Sequence, residues 1–566
     1  MLGASVGLPY FLLASTSPLI QAWFAAARPQ QNPYRLFAVS NLASLIALLG
    51  YPFIVEPYFA AREQVSAWSW LLALFAVLCA ALAWSTPRAS PQDSASAPPS
   101  SVSWKEAGLW LALSATGSML LLAVTNHLTQ NVASVPLLWL LPLTLYLATF
   151  IVAFEGKGWY RPEYLWSLML VWLAGMGYLL VDADFHYDLP VQLGIFLPGM
   201  FLGCLFCHGE LYRMRPAPRQ LTAFYLIISA GGALGGLLVA VVAPLAFSGY
   251  YELGVGLVVL GTLAALRFAA LNRVARYASL AVLLGVTGAA IYDGLRDKRD
   301  VRMATRSFYG VLRIKEYGTA GEDGHLRRLV HGTIMHGEQY QTGAKRTSLT
   351  TYYTETSGIG AAIHSKHDKP IRVGVIGLGT GTIAAYGRAG DVYRFYDIDA
   401  RVIELAKSEF SYLADSAARV ELALGDARLV LEREAPQGFD VLAVDAFSSD
   451  AIPVHLITRE ALGTYLRHVK PDGIVAFHVS NRFLDLIPVV ARLAREHGAH
   501  VTLVRDDPDD DDDGNGRSRS DWVLVSRDPE ALKREEIVDA GAVDPEERPE
   551  WRTWTDDYSN LIQILK

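Results

Sequence analysis

Two aspartates that bracket a short loop are the residues of this sequence best suited to acid–base chemistry. They are Asp445 and Asp450, and the loop follows the apolar run from Val441 to Val444, which has the composition of a buried strand. An amine nucleophile is protonated at neutral pH, so a site that uses one must attract the cation and then remove a proton. Paired carboxylates can do both, and we expect Asp445 to orient the amine and Asp450 to be the base. The alternative is that Asp445 caps a helix or turn and that Asp450 is only a solvated side chain.

A tyrosine and a glutamate upstream of this loop are suited to holding such an amine. We predict a helix that carries Tyr352, Tyr353 and Glu355 toward the core of the domain. Tyr353 is expected to hydrogen-bond the amine, and Glu355 to anchor a second positive charge.

A glycine-rich turn predicts a site for a nucleoside next to these groups. The apolar run that begins at Arg372 ends in three glycines and then enters a helical pattern. The glycines are Gly377, Gly379 and Gly381. Glycine permits positive φ and close approach of backbone to a ligand, although such glycines also occur in ordinary turns. Because Thr382 follows the third glycine, the turn departs from the G-x-G-x-x-G of dinucleotide binders and favours an adenosyl-sulfonium ligand over NAD.

Acidic residues close the strands that surround this turn. The next apolar stretch ends in Asp397, where a carboxylate can reach ribose hydroxyls, and a third stretch ends in Asp426. Successive parallel strands present their carboxyl ends at one edge of a doubly wound sheet, where ligands bind. We therefore predict an α/β Rossmann-like domain over residues 366–530, preceded by a small antiparallel β domain over 294–365 and followed by a C-terminal tail over 531–566.

The first half of the chain has a different composition. Of the 566 residues, 52% are hydrophobic and 19% charged, which is too apolar for a purely soluble protein. About ten apolar segments have roughly the 20-residue length that a bilayer requires. They are residues 3–27, 36–60, 67–86, 107–126, 133–154, 163–182, 189–209, 220–248, 252–268 and 275–293. We predict a multi-pass transmembrane α-helical bundle over residues 1–293 that has the lipid bilayer of the cell (inner) membrane as its partner.

The basic loops between these segments give conflicting orientations. Those around Arg213 and Arg267 place the C-terminal half outside by the positive-inside rule, whereas Arg296 and Arg302 argue for the inside. Adenosyl-sulfonium compounds are made in the cytosol, so we expect a cytoplasmic catalytic domain.

Charge, cysteine and histidine usage narrow the range of partners. A net charge of −7 gives no reason to expect nucleic acid, and the three cysteines lie in apolar stretches that imply no disulfide framework. His331 and His336 lack a supporting pattern of cysteine or carboxylate ligands, so we predict no metal.

The residues quoted above resemble those of a known family. Residues 307–500 look like the spermidine synthase family, the polyamine aminopropyltransferases, and the whole chain resembles membrane-fused relatives whose bundles are called major-facilitator-like. The resemblance implies a class I S-adenosylmethionine-dependent transferase fold. It also implies transfer of an aminopropyl group from decarboxylated S-adenosylmethionine to a small-molecule amine. By this resemblance, the glycine turn holds the donor, Asp397 binds its ribose and Asp426 contacts its adenine.

The resemblance extends to the residues that are expected to bind the amine, although some of them differ from the family's pattern. Asp445 and Asp450 match the family's Asp-x-x-Asp with two extra residues between them, and Tyr353-Thr-Glu355 matches its Tyr-x-Glu. The aspartate of the family's Leu-Asp-Gly in the small sheet is His331 here.

Two other functions remain open. A methyltransferase that uses S-adenosylmethionine itself needs a partner for the donor's carboxylate, and no Arg or Lys occurs at 377–387. A transporter whose soluble domain senses adenosyl compounds or polyamines without catalysis would use His127, His208 and Glu210 within the helices.

Overall fold

A computed structural model describes most of the chain. The described residues are 7–28, 30–86, 102–132, 137–181, 189–217, 220–296, 300–332, 334–446, 453–508 and 516–566. They form two compact units, one chiefly before residue 298 and the other chiefly from 298 to 566, and each is described by itself.

Long apolar helices build the first unit, and each of the ten apolar segments contains one. They are Leu8–Ala27, Arg35–Gly50, Ala61–Ser85, Trp104–Asn126, Leu140–Phe154, Pro162–Val181, Leu189–Arg213, Leu221–Leu237, Glu252–Phe268 and Arg273–Arg296. Short π-helical and α-helical pieces extend three of them: Tyr51–Val55 with Glu56–Tyr58, His127–Val132, and Leu238–Val242 with Ala243–Ala246. Among the described residues, seven helical stretches are long and apolar enough to cross a membrane.

The polar residues of this unit that the sequence singled out have partners inside it. Glu210 is buried and accepts hydrogen bonds from Nε of Arg267 at 2.6 Å and from the hydroxyl of Tyr160 at 3.0 Å. Nδ1 of His208 lies 2.8 Å from the hydroxyl of Thr149. Buried polar groups are costly unless they are paired, so these contacts account for the place of Glu210 in the bundle, whereas Nε2 of His208 is buried without a hydrogen-bond partner among the described residues.

The second unit begins with a four-stranded antiparallel sheet. Its strands are β1 (Val301–Ser307), β2 (Gly310–Tyr317), β3 (Leu326–His331) and β4 (Ile334–Tyr340), in that order. Apolar side chains of β2 and β3 pack against Leu405, in the helix Ala400–Ser408, and against Phe410 just after it. The small sheet is therefore fixed to the part of this unit that follows β6.

A seven-stranded sheet forms the centre of the second unit. Its strands are β5 (Arg372–Ile376), β6 (Val392–Asp397), β7 (Arg419–Leu424), β8 (Phe439–Val444), β9 (Val469–His478), β10 (His500–Asp506) and β11 (Ser520–Ser526). The order across the sheet is β10-β11-β9-β8-β5-β6-β7; β5 to β9 are parallel, and β11 runs antiparallel to β9 and β10. Every residue of β8 is buried, as expected for a central strand covered on both faces.

Helices cover both faces of this sheet. The α-helices are Gly358–His364, Ala400–Ser408, Tyr412–Asp415, Ala427–Arg433, Arg459–His468, Ile487–Glu496 and Glu535–Asp539. The 3₁₀-helices are Ala344–Thr347, Thr382–Tyr386, Val454–Leu456, Pro529–Leu532 and Ile562–Ile564. Within the predicted tail, Trp554, Tyr558 and Ile564 are buried in the core that β8 and β9 share.

Candidate active site

The site lies where the connections of the sheet diverge. From β5 the chain proceeds to β6 and β7 on one side, whereas β8, the other neighbour of β5, is followed by β9 on the opposite side. A crevice forms at the carboxyl ends of strands at such a switch point. Gly377 and Asp445 are the first residues after β5 and β8, and the Asp445 amide donates to the carbonyl of Ile376 at 2.8 Å.

The glycine turn has the positive φ angles that its composition predicts. Gly377 has φ of +100°, and a Cβ there would lie 2.2 Å from the carbonyl oxygen of Asp445. Gly379 has φ of +54°, and its Cβ would lie 2.7 Å from the carbonyl oxygen of His336. Gly381, at +85°, precedes a 3₁₀-helix, Thr382–Tyr386, rather than a long α-helix. Backbone from three separate elements thus converges at these glycines.

Asp397 closes β6 beside this turn. Its carboxylate accepts hydrogen bonds from the amides of Leu378 at 3.0 Å and Asp399 at 2.9 Å. Burial raises its pKa from 3.8 to about 6, against the lowering effect of these hydrogen bonds. Each carboxylate oxygen has a second lone pair, so the group retains the capacity to accept from ligand hydroxyls.

Asp426 combines a structural contact with a place in the crevice. It caps the helix Ala427–Arg433 by accepting from the amide of Leu429 at 2.9 Å, and its second oxygen lies 2.8 Å from Nε2 of His455. Asp426 and His455 both line the crevice, so this pair forms one of its walls.

A first cavity, of about 150 Å³, occupies the crevice. Five of the predicted site residues line it: Gly377, Gly379, Asp397, Asp426 and Asp445. Apolar side chains from β2, β3 and the strand ends form most of the remaining wall. We call it the donor cavity.

Asp445 is held from two sides. The hydroxyl of Tyr353 donates to Oδ2 at 2.5 Å, and Nδ1 of His478 lies 2.8 Å from Oδ1. The imidazole of His478 in turn stacks on Trp522, with ring centroids 4.7 Å apart. Burial and the neighbouring Asp445 raise the pKa of Tyr353, which keeps its hydroxyl protonated and able to donate. Tyr353 thus binds the aspartate, where the sequence predicts a bond to the amine.

A second cavity, of about 540 Å³, adjoins the first, and we call it the acceptor cavity. Tyr352, Tyr353 and His478 line it. Three residues line both cavities: His336, Gly379 and Asp445. The two cavities therefore lie side by side at Asp445.

Glu355 takes a different position from the one predicted. The residues around it form a turn rather than a helix, and the helix begins only after Ser357, whose hydroxyl accepts from the amide of Gly360. The hydroxyls of Thr354 and Thr356 both donate to Asp506, at 2.7 and 3.0 Å. These bonds hold the turn at the end of β10, and Glu355 is exposed there.

Asp450 falls in residues 447–452, outside the described part of the chain. The predicted pairing of its carboxylate with Asp445 therefore stays a prediction from the sequence.

Two histidines supply uncharged walls to the donor cavity. His331 and His336 have ring centroids 5.7 Å apart. Burial lowers the pKa of His331 and lowers that of His336 to about 4, so both are neutral at pH 7. Within the described ranges, no group of three or more His, Cys, Asp or Glu residues is arranged to hold a metal ion.

Several residues of the acceptor cavity are missing from the sequence prediction, among them His478, Arg482 and Arg519. His478 ends the fifth parallel strand, so the rule of strand ends that found Asp397 would also have found it. Arg482 and Arg519 come from two separate loops that line the cavity, and no local pattern marks them.

Part of the chain is homologous to a polyamine aminopropyltransferase. The enzyme of that name from Vibrio vulnificus is 31% identical over 122 residues, which are 20% of this chain and 38% of the relative. The chain thus spans about 38% of the length of the curated relative that it matches. No protein-family model matches the sequence.

Solved structures with a similar fold include two spermidine synthases. A probable spermidine synthase from Corynebacterium glutamicum is 18% identical, with a TM-score of 0.35, over 46% of this chain and 98% of that one. Spermidine synthase from Thermotoga maritima is 16% identical, with a TM-score of 0.30, over 44% of this chain and 81% of that one.

Proposed function

We propose that the chain is a membrane-integrated aminopropyltransferase. It transfers the aminopropyl group of decarboxylated S-adenosylmethionine to an amine and releases methylthioadenosine. The partial similarity to a polyamine aminopropyltransferase supports this class of transferase.

The observation that carries the proposal is the contact between the two cavities. The donor cavity holds the glycine turn and Asp397, which suit an adenosyl group, and the acceptor cavity meets it at Asp445 and Gly379. A donor that lies with its ribose at Asp397 directs its sulfonium side toward this junction. The amine then approaches from the acceptor cavity.

The reaction is a displacement at carbon. The amine nitrogen forms a bond to the carbon beside the sulfonium, the carbon–sulfur bond breaks, and its electron pair returns to sulfur as the neutral thioether. Asp445, fixed by Tyr353 and His478, attracts and orients the ammonium. We assign the transfer of its proton to Asp450, on the sequence pattern alone.

The seven apolar helical stretches support integration in the cell membrane as a multi-pass protein. Because the donor is a cytosolic metabolite, we place the catalytic domain on the cytoplasmic side.

Product analysis tests this function. Detergent-purified full-length protein is incubated with decarboxylated S-adenosylmethionine or S-adenosylmethionine and a panel of amines, and products are identified by mass spectrometry. We expect methylthioadenosine and an aminopropylated amine, and a 10²-fold to 10⁴-fold loss, as an order of magnitude, in Asp450→Asn.

Other products would redirect the assignment. S-adenosylhomocysteine would make the protein a methyltransferase. Binding of the donor without any product would favour the sensing and transport function, which uptake into proteoliposomes would then test.

A further inference from the structure

The acceptor cavity is lined by more cationic than anionic side chains, which is unusual for a site that binds a polycation. Three cationic side chains line it together with two carboxylates. The cations are Arg482, Arg519 and Lys566, and the carboxylates are Asp445 and Asp521. We infer that the acceptor is an amine that also carries an oxyanion, such as a carboxylate, which Arg482 and Arg519 bind. This inference rests on the proposed aminopropyl transfer.

No strong ion pair neutralises the guanidinium groups of Arg482 and Arg519 in the part of the chain that the structure describes. Within the described residues, Arg482 makes no ion pair, and its guanidinium lies 5.8 Å from the ring centroid of Phe483. Among the described residues, Arg519 has one acidic neighbour, Asp507, at 3.8 Å, and both side chains are exposed there. A water-exposed pair at this distance holds its partners weakly. Both guanidinium groups can therefore turn to an oxyanion, which they bind with paired N–H donors.

Of the two carboxylates of the cavity, Asp445 already has hydrogen-bond partners. It accepts from Tyr353 and His478, and it is the group at the junction with the donor cavity. Asp521 lies 3.7 Å from Nε of Arg505, which is too long for a hydrogen bond, and its Oδ1 is buried without a hydrogen-bond partner among the described residues. One ammonium can bind at Asp445, whereas the second ammonium of a diamine would find one carboxylate, Asp521, among three cationic side chains.

The position of Glu355 agrees with this charge distribution. By resemblance, Glu355 belongs to the motif that contacts the amine, yet it is exposed in a turn and does not line the acceptor cavity. Among the described residues, the carboxylate predicted for a second positive charge is thus absent from the cavity, which instead has cationic side chains at Arg482 and Arg519.

Matched pairs of amines test the inference. Lysine and cadaverine differ by one carboxylate, as do ornithine and putrescine, while O-phosphoethanolamine and ethanolamine differ by a phosphate. Methylthioadenosine release from decarboxylated S-adenosylmethionine is measured for each, with the full-length protein in detergent. We expect the anionic member of at least one pair to have a kcat/KM about 10-fold or more above its partner, from one or two charge-assisted hydrogen bonds. The pair that shows the preference identifies a carboxylate or a phosphate.

Arginine variants test where the preference arises. In Arg482→Gln with Arg519→Gln, the ratio of kcat/KM within the preferred pair should fall toward one, through a loss with the anionic amine. Arg401→Gln is the matched control, because Arg401 is exposed and pairs with Glu404. A preference of the wild type for the plain diamines would overturn the inference. So would a double variant that loses the same fraction of kcat/KM with both members of a pair, or in which only the KM of the donor rises.

A binding measurement separates this inference from the proposed function. If no amine yields methylthioadenosine, the proposed aminopropyl transfer is wrong. Titration calorimetry in the presence of methylthioadenosine then compares the binding of lysine with that of cadaverine, and the binding of O-phosphoethanolamine with that of ethanolamine. Selective binding of an anionic amine that the double variant abolishes keeps the site assignment. Equal binding within both pairs overturns it.

Discussion

Nδ1 of His478 lies 2.8 Å from Oδ1 of Asp445, and the two residues end neighbouring parallel strands of the sheet. His478 fixes the direction of the carboxylate, and the Trp522 ring beneath it fixes the imidazole. Besides Tyr353, which comes from a turn, the acid that faces both cavities is thus held by residues of the strand layer. Rigid elements of this kind position a functional group more narrowly than loops do.

His478 is therefore expected to act on catalysis by positioning Asp445. In His478→Phe the aromatic contact with Trp522 can persist, but the hydrogen bond to Asp445 is lost, so we expect kcat to fall by about 10-fold to 100-fold. The KM of the donor should stay unchanged.

His478→Gln is the control for this prediction, because its amide can still donate to Asp445 and should restore part of kcat. If the Phe and Gln variants lower kcat equally, His478 has only a packing role.

The ionisation of Asp397 should govern donor affinity. The carboxylate accepts hydrogen bonds from ribose hydroxyls best when it is ionised, and burial has raised its pKa to about 6. We therefore expect methylthioadenosine to bind more weakly as the pH falls through about 6, and calorimetric titration between pH 5 and 8 measures this. Asp397→Asn should bind weakly at every pH. A wild-type affinity that is flat across pH 6 would contradict the assignment.

The raised pKa of Asp397 should also make the free energy of unfolding depend on pH. An acid whose pKa is higher in the folded state holds its proton longer there, so stability decreases as the pH rises from 3.8 to about 6. The two-unit difference corresponds to about 3 kcal/mol at most. The difference in free energy of unfolding between wild type and Asp397→Asn, measured across this range, isolates the contribution. A difference that is constant with pH would show that burial does not shift this group.

Gly377 should be required for two reasons: a side chain at this position would clash with neighbouring backbone, and its φ is positive. A Cβ at Gly377 meets the carbonyl oxygen of Asp445 at 2.2 Å, so Gly377→Ala has to displace the backbone that carries the acid. Gly390 has a similar φ, +97°, but its nearest neighbour is Pro370 at 3.5 Å, an ordinary contact. Both alanine variants should therefore lose about 1–2 kcal/mol to backbone strain. Only Gly377→Ala should also lose methylthioadenosine binding, and equal binding in the two variants would contradict this role.

The strands of the sheet could be predicted because each leaves a local signal. The run Val392–Asp397 is apolar and aromatic and ends in an acid, and the run before Gly377 ends in a turn that only glycine accommodates. The prediction of a helix at Tyr353 was wrong, because no local signal in the sequence separates the turn at Tyr353 from the helix that follows it. Two hydroxyls bound to Asp506, distant in sequence, fix that turn, and Thr351 just before it has φ of +59°.

The acceptor cavity could not be predicted in the same way. Arg482 follows β9 and Arg519 precedes β11, and only the pairing of these strands brings them to one cavity. Tyr353 reached the predicted neighbourhood but binds Asp445, because the two side chains are buried side by side and a buried hydroxyl needs a partner. Residue types therefore indicated the chemistry, while tertiary contacts decided which group each residue serves.

The helix Ala61–Ser85 should tolerate charge only near its ends. It is a candidate span with a mean hydropathy of 2.1 and no buried residue, and Leu74 near its middle and Val65 near its start are 54% and 65% exposed. If lipid surrounds this helix, Leu74→Lys costs about 2.5–3.5 kcal/mol of insertion, whereas the lysine of Val65→Lys can extend to the interface. We expect Leu74→Lys to lower the fraction of protein that stays in membranes after an alkaline carbonate wash, and Val65→Lys to match wild type. Equal retention of both variants would contradict a lipid-facing helix, because water around the helix removes the difference in depth between the two positions.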